Sequence, residues 1–293
     1  MIKISENIAL FDKTSYRIGG AARYYFEPCC EEEIIEAYKF AGENGLDVFV
    51  LGRGTNLLIS DNGINGLVLN LSAKYTFVEW DNVFASVSGG YLLDGLALLA
   101  ARKGLAGIEE LSGIPGTIGG AVVMNAGAFE TEIAGLLRSA RVLRVPALTV
   151  ETVLTADLAL GYRTSALKGG RDVVLSAVFK FTQSDAETVL AAREKILSRR
   201  REKQPLDLPS CGSVFKRPQG NYAGTLIESC GLKGFSIGGA TISEKHANFI
   251  VNTGKATAKD VMEVIKHIQN VVYKKTSILL EPEVIFMGVN YEL

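Results

Sequence analysis

SGIPGTIGGAVVMNAG, residues 112–127, carries Gly113, Gly116, Gly119, Gly120 and Gly127, and its second half is almost free of charge. Glycine allows backbone N–H groups to approach a ligand and permits positive φ. A glycine-rich turn opening into a helix therefore suits a pyrophosphate. Glycine content alone leaves two readings open: a loop that cradles the diphosphate of a large cofactor, or a tight turn before a buried helix. A second loop lies upstream. GRGTN at 52–56 follows a predicted strand over 48–51 and precedes Leu57-Leu58-Ile59. A Rossmann fingerprint needs a third glycine and then a helix. Here Leu57 stands in the third glycine position and strand-like residues follow, and no Gly-Lys-Ser/Thr marks a Walker A loop. Two such loops in the first half of the chain point to a different cofactor fold, with both loops closing on one dinucleotide.

The 293 residues allow two or three domains. A hydrophobic fraction of 47% permits sizeable cores, and a formal net charge of −1 gives no reason to expect a nucleic-acid partner. The first residues lack the apolar run of a signal peptide. No apolar stretch approaches the ~20 residues of a membrane span. A cytoplasmic enzyme is expected, with no membrane partner and as a monomer. The cysteines, Cys29, Cys30, Cys211 and Cys230, have no C-x-x-C spacing, and the histidines are His246 and His267. Reduced thiols and no metal site are expected. No G-x-S-x-G elbow is present for a serine hydrolase.

Periodicity predicts strands at 22–27, 48–51, 67–71, 76–81 and 83–88, and helices at 31–44 and 92–103. The second helix is expected to turn Leu92, Leu93, Leu96, Leu99 and Ala100 inward. Further strands are expected at 139–143, 148–152 and 173–181. A helix at 185–203 ends in Arg199-Arg200-Arg201, read as a solvated helix end that suits the dipole. QPLDLP at 204–209 reads as a boundary. Beyond it come a helix at 223–230, strands at 240–242 and 248–251, a helix at 257–275 with Thr257 and Asp260 as a capping box, and a last strand at 278–287. The pattern is α+β, with a boundary near residue 200.

Seven strings in order then resemble one family: SYRIGG at 15–20, LGRGTNLLISDNGINGLVLNL at 51–71, SGIPGTIGGAVVMNAGAF at 112–129, GYRTS at 161–165, QPLDLPSCGSVFKRP at 204–218, SEKHANFIVN at 243–252 and LEPEV at 280–284. The chain resembles the UDP-N-acetylenolpyruvoylglucosamine reductases (MurB), flavin enzymes of cell-wall precursor synthesis, over nearly its whole length. The resemblance implies a two-subdomain FAD-binding module of the vanillyl-alcohol-oxidase type at 1–72 and 73–200, and a C-terminal α+β substrate domain at 201–293. It implies that Gly52, Arg53, Gly54, Thr55, Asn56 and Leu57, with Gly116, Thr117, Gly119, Gly120 and Ala121, hold the FAD pyrophosphate. Asn125, Ala126 and Gly127 would lie beside the flavin. No histidine precedes His246, so histidyl attachment inside the module is excluded and noncovalent FAD is expected.

The family reaction takes hydride from NADPH to FAD and on to C3 of an enolpyruvyl ether, with a proton added at C2. By resemblance, Arg163 stabilises the carboxylate charge, Ser213 donates the proton and Glu283 assists, which requires a raised pKa because a bare carboxylate would repel the enolate-like species. Glu281 is the alternative to Glu283; two residues apart on a strand, both would face one side. Without the family pattern, Arg163 reads as a surface ion-pair partner, Ser213 as a turn cap and Glu283 as a strand-edge acid. Cys211 is expected to be a spectator. Lys216 is assigned to a substrate or NADPH phosphate, and Asn221, Tyr222, His246 and Asn252 are candidates for the nucleotide-sugar pocket. His246 is equally well read as a core residue. The chain has no insertion between 218 and 243, so it resembles the shorter subclass without a tyrosine lid. Glu110 stands where an apolar residue is more usual. Two other functions remain open: an FAD-dependent carbohydrate or alcohol oxidase, and a nucleotide-sugar sensor without turnover. Bleaching of a yellow protein by NADPH and recolouring by the enolpyruvyl sugar separates them.

Overall fold

The computed structural model describes residues 2–288. Met1 and residues 289–293, the outer ends of the expected first and third domains, lie outside the described residues. The chain forms two compact units. One comprises residues 2–5, 25–53 and 66–199; the other comprises 6–24, 54–65 and 200–288. This differs from the expected division into 1–72, 73–200 and 201–293. Two early segments, 6–24 and 54–65, cluster with the C-terminal third, because their apolar residues Tyr16, Ile18 and Leu58 belong to its core.

In the first unit, an antiparallel sheet runs in the order Thr149–Leu154, Leu137–Arg144, Val173–Lys180, Phe84–Ser88, Val78–Asp81. Its inner face carries Ala85, Val87, Ala140, Val142, Ala177 and Phe179, all buried. The helix Leu93–Arg102 packs here through Leu93, Leu96, Ala97 and Ala100. Each fully buried leucine contributes roughly 1.5–3 kcal/mol. Leu92, expected inward, is exposed. It is the extended N-cap residue, so its side chain does not share the helical face. The helix Glu31–Glu43 buries Ile34, Ala37, Tyr38 and Ala41. The strand Val48–Leu51 runs parallel to residues 67–70 and delivers the chain to Gly52.

The helix Ala186–Lys203 ends in the arginine run. That run is not uniformly solvated: Arg200 is buried, and Arg199 stacks over Phe129 with its guanidinium carbon 4.5 Å from the ring centroid. Successive helical residues point about 100° apart, so three neighbouring arginines cannot share one environment.

The second unit carries a four-stranded antiparallel sheet, ordered Ser210–Ser213, Phe249–Asn252, Ala240–Ile242, Ser236–Ile237. The helix Ala258–Thr276 covers it with Val261, Val264, Ile265, Ile268 and Val272, while Val271 is only half-buried. Thr257 and Asp260 form the capping box. Asp61 adds a second cap, accepting from the N–H groups of Ala258 at 2.8 Å and Lys259 at 3.2 Å. These satisfy helix-end donors that have no partner within the helix.

The expected strand over 278–287 is shorter. Only Ile285–Met287 forms a ladder, parallel to Leu57–Ile59. Residues 281–284 instead bond Val214 and Lys216: Lys216 N–H donates to the Glu281 carbonyl at 2.9 Å and Glu283 N–H to the Val214 carbonyl at 2.7 Å. Pro282, which has no N–H to give a ladder, sits between them at an isolated bridge to Phe215.

Candidate functional site

In the first unit the two glycine loops meet. A Cβ placed on Gly52 would lie 2.5 Å from Thr117 Oγ1. Only glycine fits there. Ser72 Oγ donates to the Gly52 carbonyl at 3.1 Å and fixes the loop. Thr117 caps the short helix Ile118–Val123, accepting from Gly120 N–H at 3.4 Å. Gly119 N–H donates to the Gly89 carbonyl at 2.8 Å, and a Cβ on Gly119 would be 3.1 Å from that oxygen. Gly116 accepts from Leu93 N–H, and Ala121 from Ala126 N–H. Arg53 is exposed.

Downstream of this helix the chain turns sharply. Asn125 has φ +41 and is 1% exposed. Its side chain donates to Glu132 at 2.9 Å and to the Gly161 carbonyl at 3.0 Å, and accepts from Ala134 N–H at 3.0 Å. Those bonds occupy the amide expected beside the flavin and tie it to the 161–164 turn. That turn is closed by reciprocal bonds between Gly161 and Thr164. Arg163 at its tip has φ +56; its guanidinium donates to the Gly127 carbonyl at 2.8 Å and lies over the Tyr162 ring. Gly127, Ala126 and Arg163 are thus brought together. Glu110 accepts from Glu130 N–H at 2.9 Å.

In the second unit, Gly54 has φ +58, and a Cβ on it would meet Lys13 O at 2.9 Å. Its carbonyl accepts from Ser15 N–H and Oγ, both at 3.3 Å. Thr55 is half-buried, and Leu57 pairs with Ile285. Asn56 donates to the Glu283 carbonyl at 3.1 Å and accepts from Ile285 N–H at 2.9 Å. It is therefore an anchor of the Glu283 segment, a role its place in a glycine loop did not signal.

Ser213 follows a register shift in the ladder between Ser210 and Ser213. Gly212, at φ +80, provides the bulge. Bulges re-aim side chains next to active sites. Burial pushes the Cys211 thiol up to about 12. Cys211 is therefore a neutral thiol, packed against Tyr16. Lys216 forms an ion pair with Glu281.

Tyr222 is 60% exposed, with the Arg217 guanidinium 4.0 Å from its ring centroid. Asn221 bonds weakly to Gln219 at 3.4 Å. His246 is held below its ordinary pKa chiefly by burial, and its Nδ1 accepts from Asn248 N–H at 3.3 Å. Asn252 is buried; it donates to the Tyr16 carbonyl at 3.0 Å and accepts from Gly254 at 2.8 Å and Ala256 at 3.1 Å. Its amide joins the 16–17 turn to the 254–256 loop, so a substrate contact from it would require breaking these bonds. Residues 218–243 are taken up by the helix Ala223–Ser229 and the hairpin that begins at Ser236, without an extended lid loop.

Two family profiles match. Residues 22–151 match the FAD binding domain, and residues 204–287 match the UDP-N-acetylenolpyruvoylglucosamine reductase C-terminal domain. The reductase of that name from Caldicellulosiruptor bescii is 44% identical over 289 residues, 98% of this chain and 91% of that protein. The one from Nostoc sp. is 46% identical over 277 residues, 94% of this chain and 83% of that protein. The chain belongs to the UDP-N-acetylenolpyruvoylglucosamine reductase family. Its fold agrees with the crystal structure of the family member from Thermus caldophilus, at TM-score 0.84 and 33% identity, covering 98% of this chain and 99% of that one. The fold is α+β, with an FAD-binding module and a C-terminal domain, and the protein is an FAD-dependent oxidoreductase. The residues present fit such a cofactor. A side chain on Gly52 would collide with Thr117, and one on Gly119 would crowd the Gly89 carbonyl, so close packing of the two loops favours glycine at both positions.

Proposed function

We propose that the protein reduces UDP-N-acetylglucosamine enolpyruvate to UDP-N-acetylmuramate in peptidoglycan precursor synthesis, with NADPH as hydride donor, noncovalent FAD and a cytoplasmic location. The observation that carries this reading is the bond from Glu283 N–H to the Val214 carbonyl, 2.7 Å. It brings the backbone of the candidate acid beside Val214, the residue that follows the candidate proton donor Ser213. We also assign the FAD-binding role to the 52–57 and 116–127 segments, and substrate recognition to the C-terminal part.

FAD, when bound, supplies the hydride that reaches C3. The chain's own residues manage charge and the proton. The Arg163 guanidinium, permanently charged and forked, binds the substrate carboxylate and stabilises the charge that builds there. Ser213, aimed by the Gly212 bulge, delivers its hydroxyl proton at C2. Glu283 assists in its protonated form, because an ionised carboxylate beside the same centre would oppose the charge. Cys211 keeps its proton throughout. Lys216 carries the cation for a phosphate, and must exchange its partner Glu281 to do so. Tyr222, Asn221 and His246 line the nucleotide-sugar pocket. An anaerobic two-step titration tests the proposal. NADPH should bleach the flavin, and the enolpyruvyl sugar should restore its colour; a flavin that stays reduced after that addition overturns it.

A further inference from the structure

Asn248 is 7% exposed and stands in the turn that enters the strand Phe249–Asn252. Three of its polar groups engage the two residues that follow Ser213. Its backbone carbonyl accepts from Val214 N–H at 2.8 Å. Its Oδ1 accepts from Phe215 N–H at 3.0 Å, and its Nδ2 donates to the Phe215 carbonyl at 2.9 Å. A planar amide thereby imitates a β-ladder partner for one residue. On the far side of the same segment, the Val214 carbonyl accepts from Glu283 N–H at 2.7 Å and from Val284 N–H at 3.4 Å. Val214 is therefore held by Asn248 through its N–H and by the Glu283 segment through its carbonyl.

This grip matters because of what precedes it. The ladder slips between Ser210 and Ser213, and Gly212 sits at φ +80 with open space where a Cβ would be. Ser210 and the buried Cys211 are anchored upstream, but the bulged Gly212 between them and Ser213 adds no side-chain packing to aim it. Its direction is set by the ladder pair with Phe249 and by the residues after it, which Asn248 clamps. We propose that Asn248 is a positioning residue that sets the Ser213 hydroxyl and the Glu283 carboxyl relative to one another for proton delivery. The inference rests on the function proposed above.

Aspartate has the same shape but lacks the donor for the Phe215 carbonyl, and alanine lacks both partners. A misplacement of about 1 Å at a reacting group costs about 10²-fold in rate. With Asn248→Ala in the FAD-loaded protein, reoxidation of the reduced flavin by the enolpyruvyl sugar should slow about 10- to 100-fold. Flavin reduction by NADPH should stay within about twofold of the unsubstituted protein, because no bond of Asn248 reaches the glycine loops. Hydrogen exchange at Val214 and Phe215 should accelerate, while the helix Ala258–Thr276 keeps its protection. Adding Asn248→Ala to Ser213→Ala should slow the reaction by much less than Asn248→Ala does alone, because most of what Asn248 positions is then absent. If Asn248→Ala does not fold, Asn248→Asp carries the same measurements.

Equal losses in both half-reactions, additive losses in the double variant, or unsubstituted rates and exchange each overturn the proposal. If the unsubstituted protein is not reoxidised by the enolpyruvyl sugar, the function itself fails. The exchange measurement separates that outcome from a failure of the clamp.

Discussion

Replacing Gly52 by alanine tests whether the two glycine loops share one ligand. The new Cβ would stand 2.5 Å from Thr117 Oγ1 and 3.1 Å from its Cγ2. Ordinary contact begins near 3.4 Å, so one loop must move by about an ångström. Thr117 cannot swing aside at no cost, because β-branched side chains are stiff at χ1 and its hydroxyl caps the Ile118–Val123 helix. Overpacking of this kind costs about 1–3 kcal/mol. Without cofactor the loops can relax apart and shed most of that strain. With a diphosphate held by both, they cannot. The strain then appears in the binding equilibrium as an FAD affinity weakened about 5- to 150-fold. Titration of apo-protein with FAD, followed by flavin fluorescence, reads the affinity, and thermal melting of the apo-protein reads residual strain. Thr117→Ala in the same chain should recover part of the loss. Unchanged affinity together with unchanged melting would refute the close approach of the loops. Unchanged affinity with lowered melting would refute their joint hold on the cofactor.

Ser213→Ala should leave flavin reduction by NADPH intact and slow reoxidation by the enolpyruvyl sugar about 10²- to 10⁴-fold in stopped-flow measurements. Cys211→Ala should keep turnover within a few-fold, since a thiol raised to about 12 by burial takes no part in ionisation near neutrality; a loss as large as that of Ser213→Ala would contradict this. Asp61→Ala should lower stability by about 1 kcal/mol in denaturant unfolding, because it removes the second cap from the Ala258–Thr276 helix. His246, with Lys233 and Glu228 nearby, has its folded pKa depressed by burial. The unfolded chain therefore binds the proton more readily. Stability should hold above about pH 6.5 and fall as the pH drops below it towards the folded pKa. As the pH falls below about 6.5, the melting temperature of the unsubstituted protein should drop further than that of His246→Gln.

Local signals in the sequence located most elements, because each rests on neighbours along the chain. The helix Ala258–Thr276 announced itself through its apolar spacing and its Thr257 cap, and the structure reproduces both. A glycine beside polar residues marks 161–165, whereas the bulge before Ser213 is visible only in the ladder register. What stayed hidden depends on partners far away in sequence. Asp61 capping a helix nearly two hundred residues later, Asn56 holding Glu283 and Asn248 gripping Phe215 have no periodicity and no motif of their own. Asn125 and Asn252 have the composition of ligand-binding residues, and their amides also bond neighbouring protein groups. Short polar side chains satisfy buried backbone as readily as they bind ligands, and sequence cannot separate the two. The final strand was overestimated for a related reason: the apolar residues of 278–284 suggest a strand, but its backbone groups bond Val214, Lys216 and Gln269 one at a time instead of forming a ladder.

The clustering of 6–24 and 54–65 with 200–288 bears on how the protein is made. As the chain leaves the ribosome, the core containing Tyr16, Ile18 and Leu58 must wait until the last third has been synthesised. Contacts of such sequence separation close slowly, and the early apolar residues stay available to chaperones or to misfolding meanwhile. The segment 204–287, although it matches a family domain by itself, is not portable. Expressed alone, it would lack the strand partner Leu57–Ile59 and the Asp61 cap, and a screening fragment should begin near residue 6.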